Sequence, residues 1–109
     1  MKQLNCLVDN IYHEARGEPK AGMIAVARVT LNRVGRWEDT ICKVVHQKNQ
    51  FSWTKKKIKK SKQCPECVDA ALTAFAKDGF EATHYHNQTV NPKWGLTKVA
   101  SIGNHTFYQ

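Results

Sequence analysis

The chain is expected to fold as an α+β domain, a mainly helical body with a small antiparallel β-sheet. Apolar residues recur at three- and four-residue steps through its first three quarters. Gly and Pro punctuate those stretches at 17, 19, 35 and 79. Beyond Gly79 the pattern changes to short segments rich in aromatic and β-branched residues. At 109 residues, with no repeat and no linker, the chain makes one domain, 1–109.

The first helix is expected over residues 2–15, where Leu4, Leu7, Val8, Ile11 and Ala15 form one apolar stripe. Gly17 and Pro19 break it, and Pro19 suits the first turn of a second helix. From Ala21 to Val34 that helix carries Ile24, Ala25, Ala27, Val29 and Leu31, apolar nearly all round, as in a helix buried on most faces. Gly35 is its natural stop. Asp39 or Thr40 can cap a short third helix whose Ile41, Val44 and Val45 face inward. Residues 48–63 form a long polar loop with an aromatic island at Phe51-Ser52-Trp53, a length more often functional than structural. Pro65 opens a fourth helix, with Ala70, Ala71, Ala74 and Phe75 inward and Asp78-Gly79 as its end. Thr83–His86 and Ser101–Tyr108 read as two strands joined through Asn91-Pro92-Lys93-Trp94-Gly95.

Composition bounds the partners. Seventeen Lys and Arg against nine Asp and Glu give a net charge of +8, which points to an anionic partner: nucleic acid, a membrane surface or a bacterial wall. Six of the 17 cations lie between Lys55 and Lys62, either as a solvated loop or as a patch acting together within a screening length of ~8 Å. No apolar run approaches the ~20 residues of a membrane span, so no stable insertion is expected. The N-terminus MKQLNCLVDN makes a poor signal peptide, which implies synthesis in the cytoplasm. Cytosolic Cys6, Cys42, Cys64 and Cys67 would be free thiols, with a disulfide formed after export as the alternative. Cys64-Pro65-Glu66-Cys67 has zinc or redox spacing, but it is a single pair with no strand before it.

The stretch Tyr12-His13-Glu14-Ala15-Arg16-Gly17-Glu18, ending at Pro19, holds the chemistry. Cleaving a glycoside requires a proton for the bridging oxygen, because an alkoxide leaves badly. A Glu in an apolar, partly dry site can supply it. Glu14 sits where the first helix stops, beside aromatics and an open turn. The bland alternative is a surface Glu paired with Arg16 or Lys20, although a carboxylate near a helix C-terminus is unfavourable to the helix dipole. Glu18, four residues on, is better placed to cap the second helix or to hold the turn through Arg16 than to form a nucleophile pair at ~5 Å. His84 and His86 share one face of a strand and Tyr85 takes the other. With His105 on the neighbouring strand they are expected to make a polar, aromatic cleft wall, with zinc held by these three histidines as the alternative. Trp53, Trp94, Tyr85 and Phe51 offer flat faces for sugar rings, about half of them in the core.

In these motifs the chain resembles the SleB-type cell-wall hydrolases, the spore-cortex-lytic enzymes also found as phage endolysins. The resemblance is carried by Ile11-Tyr12-His13-Glu14-Ala15-Arg16-Gly17-Glu18-Pro19, Ile24-Ala25-Val26-Ala27 with Leu31-Asn32-Arg33-Val34, and Gln50-Phe51-Ser52. Ala82-Thr83-His84-Tyr85-His86, Val90-Asn91-Pro92-Lys93-Trp94 and Ile102-Gly103-Asn104-His105-Thr106-Phe107-Tyr108 complete it. It implies a lysozyme-like fold and cleavage of the β-1,4 bond between N-acetylmuramic acid and N-acetylglucosamine, as a lytic transglycosylase. The alternatives are lysozyme-type hydrolysis of that bond, or a non-catalytic basic module that binds wall or nucleic acid. It implies Glu14 as the catalytic acid, and Gln50, Phe51, Ser52, Tyr85, His86, Asn104 and His105 around the cleft. Glu18, His84 and Trp94 are secondary candidates. No cofactor and no metal is implied. The partner is peptidoglycan, not nucleic acid, and the chain is expected to be a monomer. The Lys55–Lys62 run and the Cys64/Cys67 pair depart from the family pattern. A lone domain without a signal looks like a phage endolysin of a Gram-negative host, released by a holin to act on the wall in the periplasm.

Overall fold

The structure, a computed structural model, describes residues 2–46, 64–77, 79–87 and 95–109. Its elements run α1 (Lys2–Ala15), α2 (Lys20–Arg33), α3 (Ile41–Val45), α4 (Pro65–Ala76), β1 (His84–Asn87), β2 (Lys98–Ile102) and β3 (His105–Tyr108). The expected α+β class holds: among the described residues four helices build the body and one three-stranded sheet lies beside it. Among the described residues no helix is long and apolar enough to cross a membrane.

The apolar stripe of α1 is the reason it packs. Leu7, Val8, Ile11 and Ala15 are buried, with Leu4 packed at their edge. Gly17 then reverses the chain at φ +82°, a backbone state that side-chain-bearing residues rarely adopt. In α2, Val26, Ala27 and Val29 are fully buried, and Thr30 and Arg33 are buried with them. The helix is enclosed on most sides by α1, α3, α4 and the sheet. Thr40 caps α3, its hydroxyl accepting from the Lys43 amide, and Ile41, Cys42, Val44 and Val45 face inward.

In α4 the side chains of Ala70, Ala71 and Ala74 are small and wholly buried, which lets the helix lie close against α2. Phe75, expected inward, is instead 49% exposed, and Leu72 is also exposed. One turn of alanines completes the contact with α2, and Phe75 falls on the neighbouring face. The thiols expected to be free are bonded instead, Cys6 to Cys42 and Cys64 to Cys67. The first bond joins α1 to α3 across a sequence separation of 36 residues, and the second closes the first turn of α4.

Among the described residues the sheet has three strands, not two, in the order β1-β3-β2, all antiparallel. The segment expected as one strand, Ser101–Tyr108, is the end of β2, a tight turn at Gly103 and the whole of β3. The Asn91–Trp94 connection lies outside the described residues.

Candidate active site

Three polar side chains of α2 place the sheet. Arg28 donates to the Ala74 carbonyl at the end of α4 and to the Asn32 side chain, at 3.2 and 2.7 Å. Asn32 donates through Nδ2 to the carbonyls of Phe80 and Ala82, at 2.7 and 2.8 Å. Arg33 donates through Nε to the Thr83 carbonyl at 2.8 Å. The backbone carbonyls of Phe80, Ala82 and Thr83, which precede the sheet ladder, are thus satisfied from α2. β1 therefore starts at a fixed point, with Tyr85 directed toward the end of α1.

Tyr85 and Glu14 meet there. The Tyr85 hydroxyl donates to Glu14 Oε1 at 2.9 Å, across 71 residues of sequence. Glu14 is half-buried in the last turn of α1. Burial pushes the Tyr85 phenol well above its usual range, with the Glu14 charge and hydrogen bond adding to the shift and Arg33 opposing it. Tyr85 therefore remains a neutral donor. Arg33 is only 4% exposed. Its guanidinium lies 4.5 Å over the Trp37 ring, and its Nη1 has no hydrogen-bond partner among the described residues. Burial lowers its pKa, and the nearby Tyr85 and Glu14 oppose that shift. Arg16, weighed as a partner for Glu14, lies 4.8 Å over the Tyr12 ring instead. Lys20 pairs with Asp69.

Glu18 does not cap α2. The residue before that helix is Pro19, with no side-chain cap. Glu18 turns toward the β2–β3 hairpin, where Oε1 accepts from the Asn104 amide at 2.6 Å and Oε2 from Asn104 Nδ2 at 3.0 Å. His105 Nδ1 lies 3.1 Å from Oε1. These partners, the Asn104 amide foremost, hold the Glu18 carboxyl below the usual range against the opposing effect of burial.

The expected wall of three histidines is divided. Strand alternation puts Tyr85, His105 and Phe107 on one face, with ring centroids 5.3 Å (Tyr85–His105) and 5.7 Å (Tyr85–Phe107) apart. His84 and His86 take the other face. His86 stacks on Tyr108 and shares a 2.9 Å hydrogen bond with its hydroxyl. His84 meets the edge of Trp37 at 5.2 Å. Burial, helped by Arg33, lowers the His84 pKa. Three histidines so arranged cannot ligate one zinc. Among the described residues no group of three His, Cys, Asp or Glu converges as a metal site would require.

Of the predicted site residues, then, the structure joins Glu14 with Tyr85, and Glu18 with Asn104 and His105. Gln50, Phe51, Ser52 and Trp94, with Trp53 and the Lys55–Lys62 run, lie outside the described residues. Asn32 and Arg33 were not singled out as site residues, although they flank Glu14's partner. Their signal was present: two polar residues in succession on a helix otherwise apolar nearly all round must meet buried acceptors.

Residues 17–108 match the model of a family described as cell wall hydrolase. That match begins three residues beyond Glu14. The spore cortex-lytic enzyme of Oceanobacillus iheyensis is 27% identical over 95% of this chain, and that of Bacillus cereus 26% over 95%. The chain spans about two fifths of their length, 40% and 43% respectively. The catalytic domain of the Bacillus cereus SleB protein superposes with a TM-score of 0.82 at 25% identity, covering 98% of this chain and 89% of that one. The catalytic domain of the germination-specific lytic transglycosylase SleB from Bacillus anthracis gives 0.83 at 25%, covering 100% and 95%, so Glu14 lies within that likeness.

Proposed function

We propose, from the premise that this chain belongs to the cell wall hydrolase family, that it degrades peptidoglycan as a lytic transglycosylase with Glu14 as its general acid and base. One observation carries the reading. A half-buried carboxyl, at the end of a helix and held by a tyrosine hydroxyl at 2.9 Å, stands in a fold shared with the catalytic domain of a lytic transglycosylase.

The substrate bond is the β-1,4 link from N-acetylmuramic acid to N-acetylglucosamine. Glu14 gives its proton to the bridging oxygen, and the bond from muramoyl C1 to that oxygen breaks as oxocarbenium character develops. The Glu14 carboxylate then takes the proton of the muramoyl O6 hydroxyl as O6 closes on C1. A 1,6-anhydro ring results, the acid is regenerated, and no water is consumed. This scheme requires one carboxylate. Glu18, the other acid of the motif, is occupied by Asn104 and His105 with its side chain 9% exposed, which disfavours a second carboxylate acting as nucleophile.

The place of action proposed is the periplasm of a Gram-negative host, reached from the cytoplasm as a phage endolysin is. Two disulfides support work in an oxidising compartment, and the +8 charge suits an anionic wall.

Digestion of purified sacculi, with mass spectrometry of the fragments, tests the reading. Anhydro-muropeptides are expected. Reducing ends would mean hydrolysis of the same bond, and free stem peptides would mean that the bond class is wrong. Glu14→Gln should slow release about 10²–10⁴-fold with an unchanged circular dichroism spectrum. A variant that clears sacculi normally would remove Glu14 from its role.

A further inference from the structure

Glu14 and Glu18 stand four residues apart on either side of the Gly17 turn, and the scheme above uses only the first. A buried carboxylate is unfavourable unless its oxygens are satisfied. Glu18 is satisfied by three donors from two successive residues, the Asn104 amide at 2.6 Å, Asn104 Nδ2 at 3.0 Å and His105 Nδ1 at 3.1 Å. The Glu18 and His105 side chains are each 9% exposed.

The turn that presents these donors is shaped around the carboxylate. Gly103 has φ +57°, and a Cβ there would stand 2.6 Å from Glu18 Oε1 and 3.0 Å from Pro19 Cδ. Glycine is needed at this position both for the backbone and for the space Glu18 fills. From His105 the contact passes on: its ring meets Tyr85 edge to face at 5.3 Å, and Tyr85 donates to Glu14 at 2.9 Å. The backbone from Glu14 to Glu18 closes the circuit. Every link in it is a directional contact, and charge-assisted hydrogen bonds are the most directional of them.

We infer that Glu18 is a positioning residue for the reaction, fixing the Tyr85 hydroxyl against Glu14 through His105, and that it is neither a second acid nor a nucleophile. The inference rests on the function proposed above.

Steady-state digestion of sacculi by Glu18→Gln tests it, alone and in a Tyr85→Phe background, with the exposed Glu81→Gln as an unaffected control. Glu18→Gln should lower kcat by up to about tenfold, the loss expected for removing the Tyr85 hydroxyl itself, with KM within twofold. It should do little more in the Tyr85→Phe background, where the hydroxyl it positions is gone. Equal losses in both backgrounds, or an unchanged kcat, would overturn the inference. Should Glu18→Gln fail to fold, Asn104→Ala removes one donor at an exposed residue and should lower kcat about threefold; no change there overturns it equally. The Tyr85 ring resonances separate the two readings. If they move in Glu18→Gln while wild-type protein releases nothing from sacculi, the proposed function fails and the Glu18–His105–Tyr85 link stands. If they stay fixed while wild-type protein is active, the link fails alone.

Discussion

At Glu14, Oε1 accepts a hydrogen bond from the Tyr85 hydroxyl, a contact that orients the carboxyl for the proton transfer proposed above. Removing the Tyr85 hydroxyl should therefore impair proton delivery without abolishing it. Tyr85→Phe is expected to lower kcat/KM about tenfold, within the span of acid–base effects, and to lower stability by about 1 kcal/mol for one hydrogen bond. Turbidity clearing and a urea titration check the two parts. Arg33 acts at the same scale. Its Nε holds the Thr83 carbonyl and its guanidinium plane covers Trp37, so lysine cannot replace it. Arg33→Lys should destabilise the protein by roughly 1.5–3 kcal/mol, the usual worth of a hydrogen bond to a charged group, seen as a lower urea midpoint.

At the scale of elements, what was legible in the sequence and what was not divides on range. α1, α2 and α3 were legible because local signals bound them: the stripe from Leu4 to Ala15, the Gly17 and Pro19 break, the Thr40 cap. Glu14 at the end of α1 followed from the same signals together with the family resemblance. The strand order was not legible, because Ser101–Tyr108 is eight residues of alternating character and only Gly103 marks its turn. Nor was the partner of Glu18, since no local pattern tells that a turn 86 residues away will approach it. Cysteine pairing was equally hidden, because spacing does not say which side chains face each other. The Cys6–Cys42 bond now ties α1, and with it Glu14, to α3. Replacing both by Ser should lower stability by about 3–4 kcal/mol on the chain-entropy scale for a loop of this length. Thermal melts with and without reductant measure it.

For the whole molecule, titration predicts the pH profile of stability. His13 and His84 both have lowered pKa values, chiefly through burial. Below the unfolded value of ~6.5 the unfolded chain takes up protons that the folded one refuses, so stability rises with pH across that window. Glu18 adds a second window. Its folded pKa is depressed, so its contribution is complete above the unfolded value near 4.5 and is lost as pH falls through the lower folded one. Melting temperatures from pH 4 to 8 should therefore climb as pH rises toward ~6.5 and level off above. His84→Gln should flatten that rise. Sequence distance has a final consequence. Glu14 meets Tyr85 across 71 residues, and Glu18 meets Asn104 across 86. A chain that stops short of the β2–β3 hairpin lacks one end of the second contact, and both form only once the sheet docks on the helices. Lytic power should thus appear only when the last tertiary closure is complete, and heat inactivation should coincide with global melting, so that the domain's own folding is its safety catch.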